Sequence, residues 1–348
     1  MMTTKSISRD GLASLVADLV GGGTEVIAPS RAPDGEVEYR RVLRFDEIVW
    51  SDEMPRSSLK EFFLPPSEPL FSWRQTRSDV TIEPVPTRFG PRVVLGARPC
   101  DVAGVAAVDA VMGWDYRDEL WFGRREATTL VSSACGGVDG SCFCRMVGLS
   151  PESEKGADLV LFPGDGGHLA KAVTEKGESF LSAHAARFGE TTDEAKPVAD
   201  ANAGLGGGVA PADPAAIRAW LSEHFEDPMW ESIALRCHGC GACAAVCPSC
   251  HCFDIVDEPE GLLEGTRRRN WDTCQTARFT VHASGHNPRA DQSARFRQRV
   301  MHKFSIYPAK FGEVLCTGCG RCARACPAGM DLPEIVSKIA ALAAEAVR

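Results

Sequence analysis

Short apolar runs alternate with helical stretches through the first half of the chain. RVVLGA (92–97), ATTLVSSA (127–134) and ADLVLFPG (157–164) have the length and β-branched content of strands. Between the first two, DVAGVAAVDAVMG (101–113) repeats its apolar positions at helical spacing, and AKAVTEKGESFLSAHAARFG (170–189) reads as a second helix. Strand–helix alternation of this kind predicts an α/β domain. The stretch ADANAGLGGGVAPADP (199–214), rich in Ala, Gly and Pro, reads as a linker. Beyond it, DPAAIRAWLSEHF (213–225) opens with Asp213 as a cap and Pro214 in the first turn. In DLPEIVSKIAALAAEAVR (331–348), Asp331 and Glu334 have capping-box spacing, which predicts a helix to near the end. The expected architecture is an α/β domain over 1–205, followed by a mostly helical domain over 206–348.

Length agrees with two units, since 348 residues is about twice a typical domain. A hydrophobic content of 44% provides for a sizeable core and argues against a disordered chain. The formal charge of −9 argues against non-specific nucleic-acid binding, which depends on excess Lys and Arg. No apolar run approaches the ~18 residues of a membrane span, and the N-terminus lacks a signal-peptide pattern, so a cytoplasmic location is expected.

The fifteen cysteines change the picture. In a reducing compartment so many thiols point to metal binding or redox chemistry rather than to disulfides. Residues 237–248 read CHGCGACAAVCP and 316–327 read CTGCGRCARACP, each C-x2-C-x2-C-x3-C-P. A [4Fe–4S] cube needs four thiolates at the corners of a tetrahedron, with three closely spaced cysteines around one face and a distant one closing it. Glycines at 239, 241, 318 and 320 let the backbone approach the cluster and present N–H groups to its negative charge. Zinc ribbons use C-x2-C pairs rather than triplets followed by Cys-Pro. Two [4Fe–4S] clusters are therefore expected. In two-cluster ferredoxins the fourth cysteine of each motif serves the other cluster. That rule assigns Cys237, Cys240, Cys243 and Cys326 to one cluster, and Cys316, Cys319, Cys322 and Cys247 to the other. The 68 residues between Cys247 and Cys316 suit a ferredoxin module built into a larger assembly.

Cys100 and Cys135 each follow a predicted strand, and Cys142-Phe143-Cys144 lies in the loop after Cys135. On parallel neighbouring strands both thiols would emerge at the carboxyl edge of the sheet, where α/β folds place their sites. The four could hold a third iron–sulfur cluster; a zinc ion or unpaired thiols are the alternatives. Cys250, Cys252 and Cys274 would need a fourth ligand, for which His251, Asp254, His282 and His286 are candidates. The plainer account makes them small buried residues beneath the ferredoxin module. Residues 267–303 form a basic stretch in which Arg295, Arg299, His302 and Lys303 fall on neighbouring helical turns. Cations there would favour the reduced form of an anionic cluster, unless they face solvent or a partner. Phosphate-binding, dinucleotide, nucleophile-elbow and zincin motifs are all absent, so nothing resembles a complete catalytic centre.

With these residues in place the chain resembles the iron–sulfur β subunits of sulfhydrogenases, the cytosolic NAD(P)-linked [NiFe] hydrogenases, and the related A subunit of anaerobic sulfite reductase. The matching stretches are FFLPPSEPLF (62–71), GARPCDVAGV (96–105), Arg124-Arg125, CFCRMVG (142–148), CPSCHCFDI (247–255), NWDTC (270–274), RQRVMHKF (297–304) and CTGCGRCARACP (316–327). The resemblance implies a subunit that performs no substrate chemistry itself. It would relay electrons between a flavin subunit handling NAD(P)H and a partner carrying a [NiFe] site or, alternatively, sirohaem. A catalytic role through a bound flavin or an open cluster site is the remaining alternative.

Overall fold

The computed structural model describes residues 2–136, 139–191 and 213–346. Eleven strands appear among them: β1 (Thr4–Ser8), β2 (Glu25–Arg31), β3 (Val37–Val42), β4 (Ser67–Gln75), β5 (Val80–Pro84), β6 (Arg92–Ala97), β7 (Thr128–Ser133), β8 (Leu159–Gly164), β9 (Gly167–Ala172), β10 (Phe253–Pro259) and β11 (Glu264–Trp271). The larger sheet has the order β1-β9-β8-β7-β6-β2-β3. Its centre, β2-β6-β7-β8, is parallel, and β1, β3 and β9 join antiparallel at the flanks. Every residue of β6 is buried, as expected of a strand covered on both faces. One apolar cluster includes Leu12, Leu15, Val93 and Val131, and another, on the opposite face, includes Val94, Val102, Leu130 and Trp121.

The three predicted strands are β6, β7 and β8, and the helix after β6 runs Pro99–Met112. The expected helix over 170–189 is shorter. Its first residues belong to β9, which pairs with β8 across Asp165-Gly166, and the helix proper is Glu175–Ala183. An Asp-Gly turn between two runs is a hairpin signal, and Gly166 takes φ +78° there. The cap predictions hold. Asp213 accepts from Ala215 N–H at 2.9 Å at the start of Pro214–Glu223, and Asp331 accepts from Glu334 N–H at 3.2 Å before Leu332–Ala346.

The second half is not simply helical. β10 and β11 form an antiparallel hairpin that pairs through β11 with β4, giving a second sheet of order β10-β11-β4-β5. Residues from both halves thus share one sheet. Its strands are hard to read in sequence because charge pairs, rather than apolar side chains, fix their register. Asp257 meets Arg267, Glu264 meets Arg74, and Glu68 meets Arg269 at 2.8 Å. The Ala/Gly/Pro-rich stretch read as a linker lies, up to residue 212, outside the described residues. No helix among the described residues is long and apolar enough to cross a membrane.

Candidate metal centres

The sequence folds each cysteine motif into a glycine-hinged loop leading to one short helical turn. Gly241 (φ +78°) precedes Ala242–Ala245, and Gly320 (φ +72°) precedes Arg321–Arg324. Around the first motif, Cys237, Cys240, Cys243, Cys322 and Cys326 line a common cavity. The first three come from one motif, and Cys322 and Cys326 from the other. Gln292 Nε2 donates to Cys237 Sγ at 3.2 Å and Met330 N–H to Cys326 Sγ at 3.3 Å. Gly239 takes φ +65°, a left-handed backbone that favours glycine, and a Cβ there would come 3.1 Å from the Gln275 carbonyl oxygen. Cys240 is exposed, which opens this site to the surface.

Cys316 and Cys319 are buried, and burial pushes the Cys316 thiol up to about 11 and Cys322 up to about 12. Cys247, from the first motif, lies close enough to raise all three thiols of the second. Lys303 Nζ stands 3.3 Å from Cys247 Sγ and 3.0 Å from Ser249 Oγ. A hydrogen bond with the Cys250 thiol, supported by the Lys303 and Arg299 charges, holds the Cys247 thiol well below its usual range. Arg299 Nη1 donates to Cys250 Sγ at 3.3 Å and Nη2 to Cys243 O at 3.0 Å. Both cations are buried, so two members of the predicted basic stretch face sulfur rather than solvent. Arg295 instead binds Gln275 O at 3.1 Å, and His302 packs edge-on against His251. The helix Gln292–Met301 widens by one residue per turn over His302–Ile306, and Pro308 follows. Proline has no N–H to continue the regular ladder, and Lys303, which lies on the widened turn, reaches Cys247.

The third set assembles at the carboxyl edge of the large sheet. A bulge at Gly96 (φ +76°) shifts the β6–β7 register just before Arg98 and Pro99. Cys100 occupies the second position of its helix, Cys135 follows β7, and both line one cavity with Cys142 and Cys144. The helix N-terminus turns its positive end toward these thiols. Arg98 also lines the cavity, and Arg324 Nη2 reaches Cys142 Sγ at 3.1 Å while paired with Asp139. Burial raises Cys100 well above its ordinary range and Cys144 to about 11. This cavity abuts the second motif, since Gly318 and Cys319 form part of its wall and Phe143 N–H bonds Gly318 O at 2.8 Å.

Sequence reasoning missed the clamp between the two halves. Arg321, inside the second motif, bonds both oxygens of Asp101 at 2.7 Å and Pro55 O at 2.7 Å. Tyr39 OH donates to Asp101 at 2.7 Å and accepts from Arg98 N–H. Asp101 directly follows Cys100, so one buried network ties the Cys100 set to the second motif. Lys60 is a further missed cation: buried, it donates to Ala244 O at 3.0 Å beside Cys247 and Cys250. Its only local signal is its place just before the FFLPPSEPLF stretch.

Of the candidate fourth ligands for Cys250, Cys252 and Cys274, none is brought into a site with them. His251 pairs with Ser249 O, His282 and His286 face each other on the surface, and Asp254 is exposed on β10. Among the described residues no three His, Cys, Asp or Glu side chains converge as a single metal ion requires. A zinc ion holds its thiolates only about 3.8 Å apart, from Zn–S bonds of about 2.3 Å. The donor sets that line cavities are all-thiol, which suits iron–sulfur clusters.

Residues 236–330 match the family model described as a 4Fe-4S dicluster domain. The chain is 28% identical over 316 residues to the sulfhydrogenase 2 subunit beta of Pyrococcus furiosus, covering 88% of this chain and 91% of that protein. The likeness therefore extends beyond the cluster motifs to the α/β half. The chain is an iron–sulfur protein that resembles a hydrogenase beta subunit. No solved structure matches it.

Proposed function

We propose that this chain is the electron-transfer subunit of a multisubunit, cytoplasmic redox complex of the hydrogenase type. It would relay electrons between a flavin subunit that handles NAD(P)H and a [NiFe] module. The observation that carries this reading is the contiguity of the three thiol sets. Cys322 walls the first cavity, and Cys319 walls the cavity of the Cys100 set. When bound, each cluster supplies a one-electron couple.

The residues that would hold the clusters are Cys237, Cys240, Cys243 and Cys326; Cys316, Cys319, Cys322 and Cys247; and Cys100, Cys135, Cys142 and Cys144. Their neighbours lower the cost of burying anionic sulfur. Gln292 and the Met330 N–H donate at the first set, Lys303 at the second, and Arg324 with the helix N-terminus at the third. The division into units 1–205 and 206–348 is part of the same proposal, with the β10–β11 hairpin of the second completing a sheet of the first.

The test is elemental analysis and low-temperature EPR of the complex, purified without oxygen through a tag on this chain. The expected result is about 12 iron on this chain, four for each cluster, and about one nickel in the complex. Absence of nickel with a sirohaem absorption band would replace the hydrogenase partner by a sulfite reductase. Flavin on the isolated chain would revive a catalytic role.

A further inference from the structure

Cys252 and Cys274 remain outside the three sets. They stand where the β10–β11 ribbon closes. Phe253 pairs with Trp271, and Asp272 N–H donates to Cys252 O at 3.1 Å, so the two strands stay antiparallel up to the thiols. The Cys252 and Cys274 thiols contact each other, and the Cys274 N–H also points at the Cys252 sulfur. Gln275 Nε2 lies 3.5 Å from Cys274 Sγ. Both residues are half-buried, so solvent protons can reach them. Cys250 does not compete for either, because its sulfur faces Arg299 and Cys247. A two-stranded ribbon that fixes two thiols in contact suits a disulfide, whereas the cluster sets spread their sulfurs around a cavity.

We propose that Cys252 and Cys274 form a reversible disulfide that stores two electrons delivered singly by the iron–sulfur sites. This inference rests on the electron-transfer reading above. In the reducing direction the S–S bond takes two electrons, one from each of two reduced clusters, which return to their oxidised state. The bond breaks, the Cys252 sulfur takes one proton from water, and the Cys274 sulfur leaves as a thiolate. The protonated Cys252 thiol donates to that thiolate, and Gln275 with the cations Arg299 and Lys303 favours it further. The reverse step returns two electrons to two oxidised clusters and releases the proton. Arg299 stands between the pair and the first motif, since its charge acts on Cys274 and its guanidinium donates to the Cys243 carbonyl.

The test is differential alkylation of the complex, purified without oxygen. One sample is oxidised with a mild dye, one reduced with dithionite, and one treated with a phosphine that cleaves disulfides directly. Each is denatured in N-ethylmaleimide and mapped by mass spectrometry. The expected result is a Cys252–Cys274 cross-linked peptide pair in the oxidised sample only, with both residues alkylated in the other two. In Cys274→Ser, Cys252 should be alkylated in every sample while iron content stays unchanged. Equal alkylation of both thiols in the oxidised wild type would overturn the proposal. So would loss of about 4 iron in Cys274→Ser, which would make Cys274 a cluster ligand. Cleavage by the phosphine but not by dithionite would keep the disulfide and deny its link to the clusters. Loss of ferredoxin-type EPR signals from the wild type would count against the electron-transfer reading alone.

Discussion

Lys303 and Arg299 place two buried positive charges against sulfur, where little water screens them. Adding an electron makes a thiolate-held cluster more negative, so a cation beside a ligand stabilises the reduced state and raises the potential. Removing the charge should do the opposite. Lys303→Met is expected to lower the midpoint of the second-motif cluster by roughly 65–130 mV, equivalent to a charge-assisted hydrogen bond of about 1.5–3 kcal/mol. An EPR-monitored redox titration reads this shift, and Lys303→Arg should restore most of it. An unchanged midpoint would mean that Cys247 does not serve that cluster. Arg321 and Asp101 act on stability instead. Their side chains are almost wholly buried, so Arg321→Met leaves an uncompensated carboxylate, costing about 3–5 kcal/mol. Thermal denaturation of the holoprotein should show Tm lower by roughly 10 °C. The pair Arg321→Met with Asp101→Leu should recover part of the loss. At this scale the eight motif cysteines and the basic stretch were legible because their spacing is local. The Arg321–Asp101 pair was not, since its partners lie 220 residues apart and nothing near either one signals the other.

Elements decide which sites can meet. The loop of the second motif lies backbone to backbone on the Cys142–Cys144 loop. Gly318 is at φ +63°, and a Cβ there would come within 2.5 Å of the Cys144 backbone. Gly318→Ala therefore combines left-handed strain of about 1–2 kcal/mol with displacement of the neighbouring loop. Iron from the second-motif and Cys100 sets should be lost while the first-motif EPR signal persists. Gly140→Ala, in the same region but with open space around it, should leave the iron count unchanged. Strands β6, β7 and β8 were legible in sequence because buried parallel strands are apolar throughout. Their parallel order then carried Cys100 and Cys135 to one edge. The β10–β11 hairpin was not legible. β10 is largely exposed and acidic, β11 holds three consecutive arginines, and β11 takes further charge partners from β4, far away in sequence. The β8–β9 turn could have been found from Asp165-Gly166, but the helix-forming residues after it masked the break at Thr174, whose side chain caps the true helix.

For the molecule as a whole, the thiol sets form a line: the first motif, the second motif, then the Cys100 set beneath the sheet edge. The first end opens to the surface through exposed Cys240. The middle set shares a wall with each neighbour. If electrons cross the subunit along this line, removing the last site should block exit without emptying the rest. Cys135→Ser tests this, because Cys135 lines only the third cavity and lies in neither ferredoxin motif. The iron on this chain should fall from about 12 to about 8, with both ferredoxin-type EPR signals retained. Electrons supplied by NAD(P)H should still reduce those two clusters in the complex, yet turnover at the catalytic partner should fall at least tenfold. Full turnover in a variant shown to lack the third cluster would take the Cys100 set off the path. It would leave that set a structural role, joining the α/β half to the second motif, as the Arg321–Asp101 clamp already does.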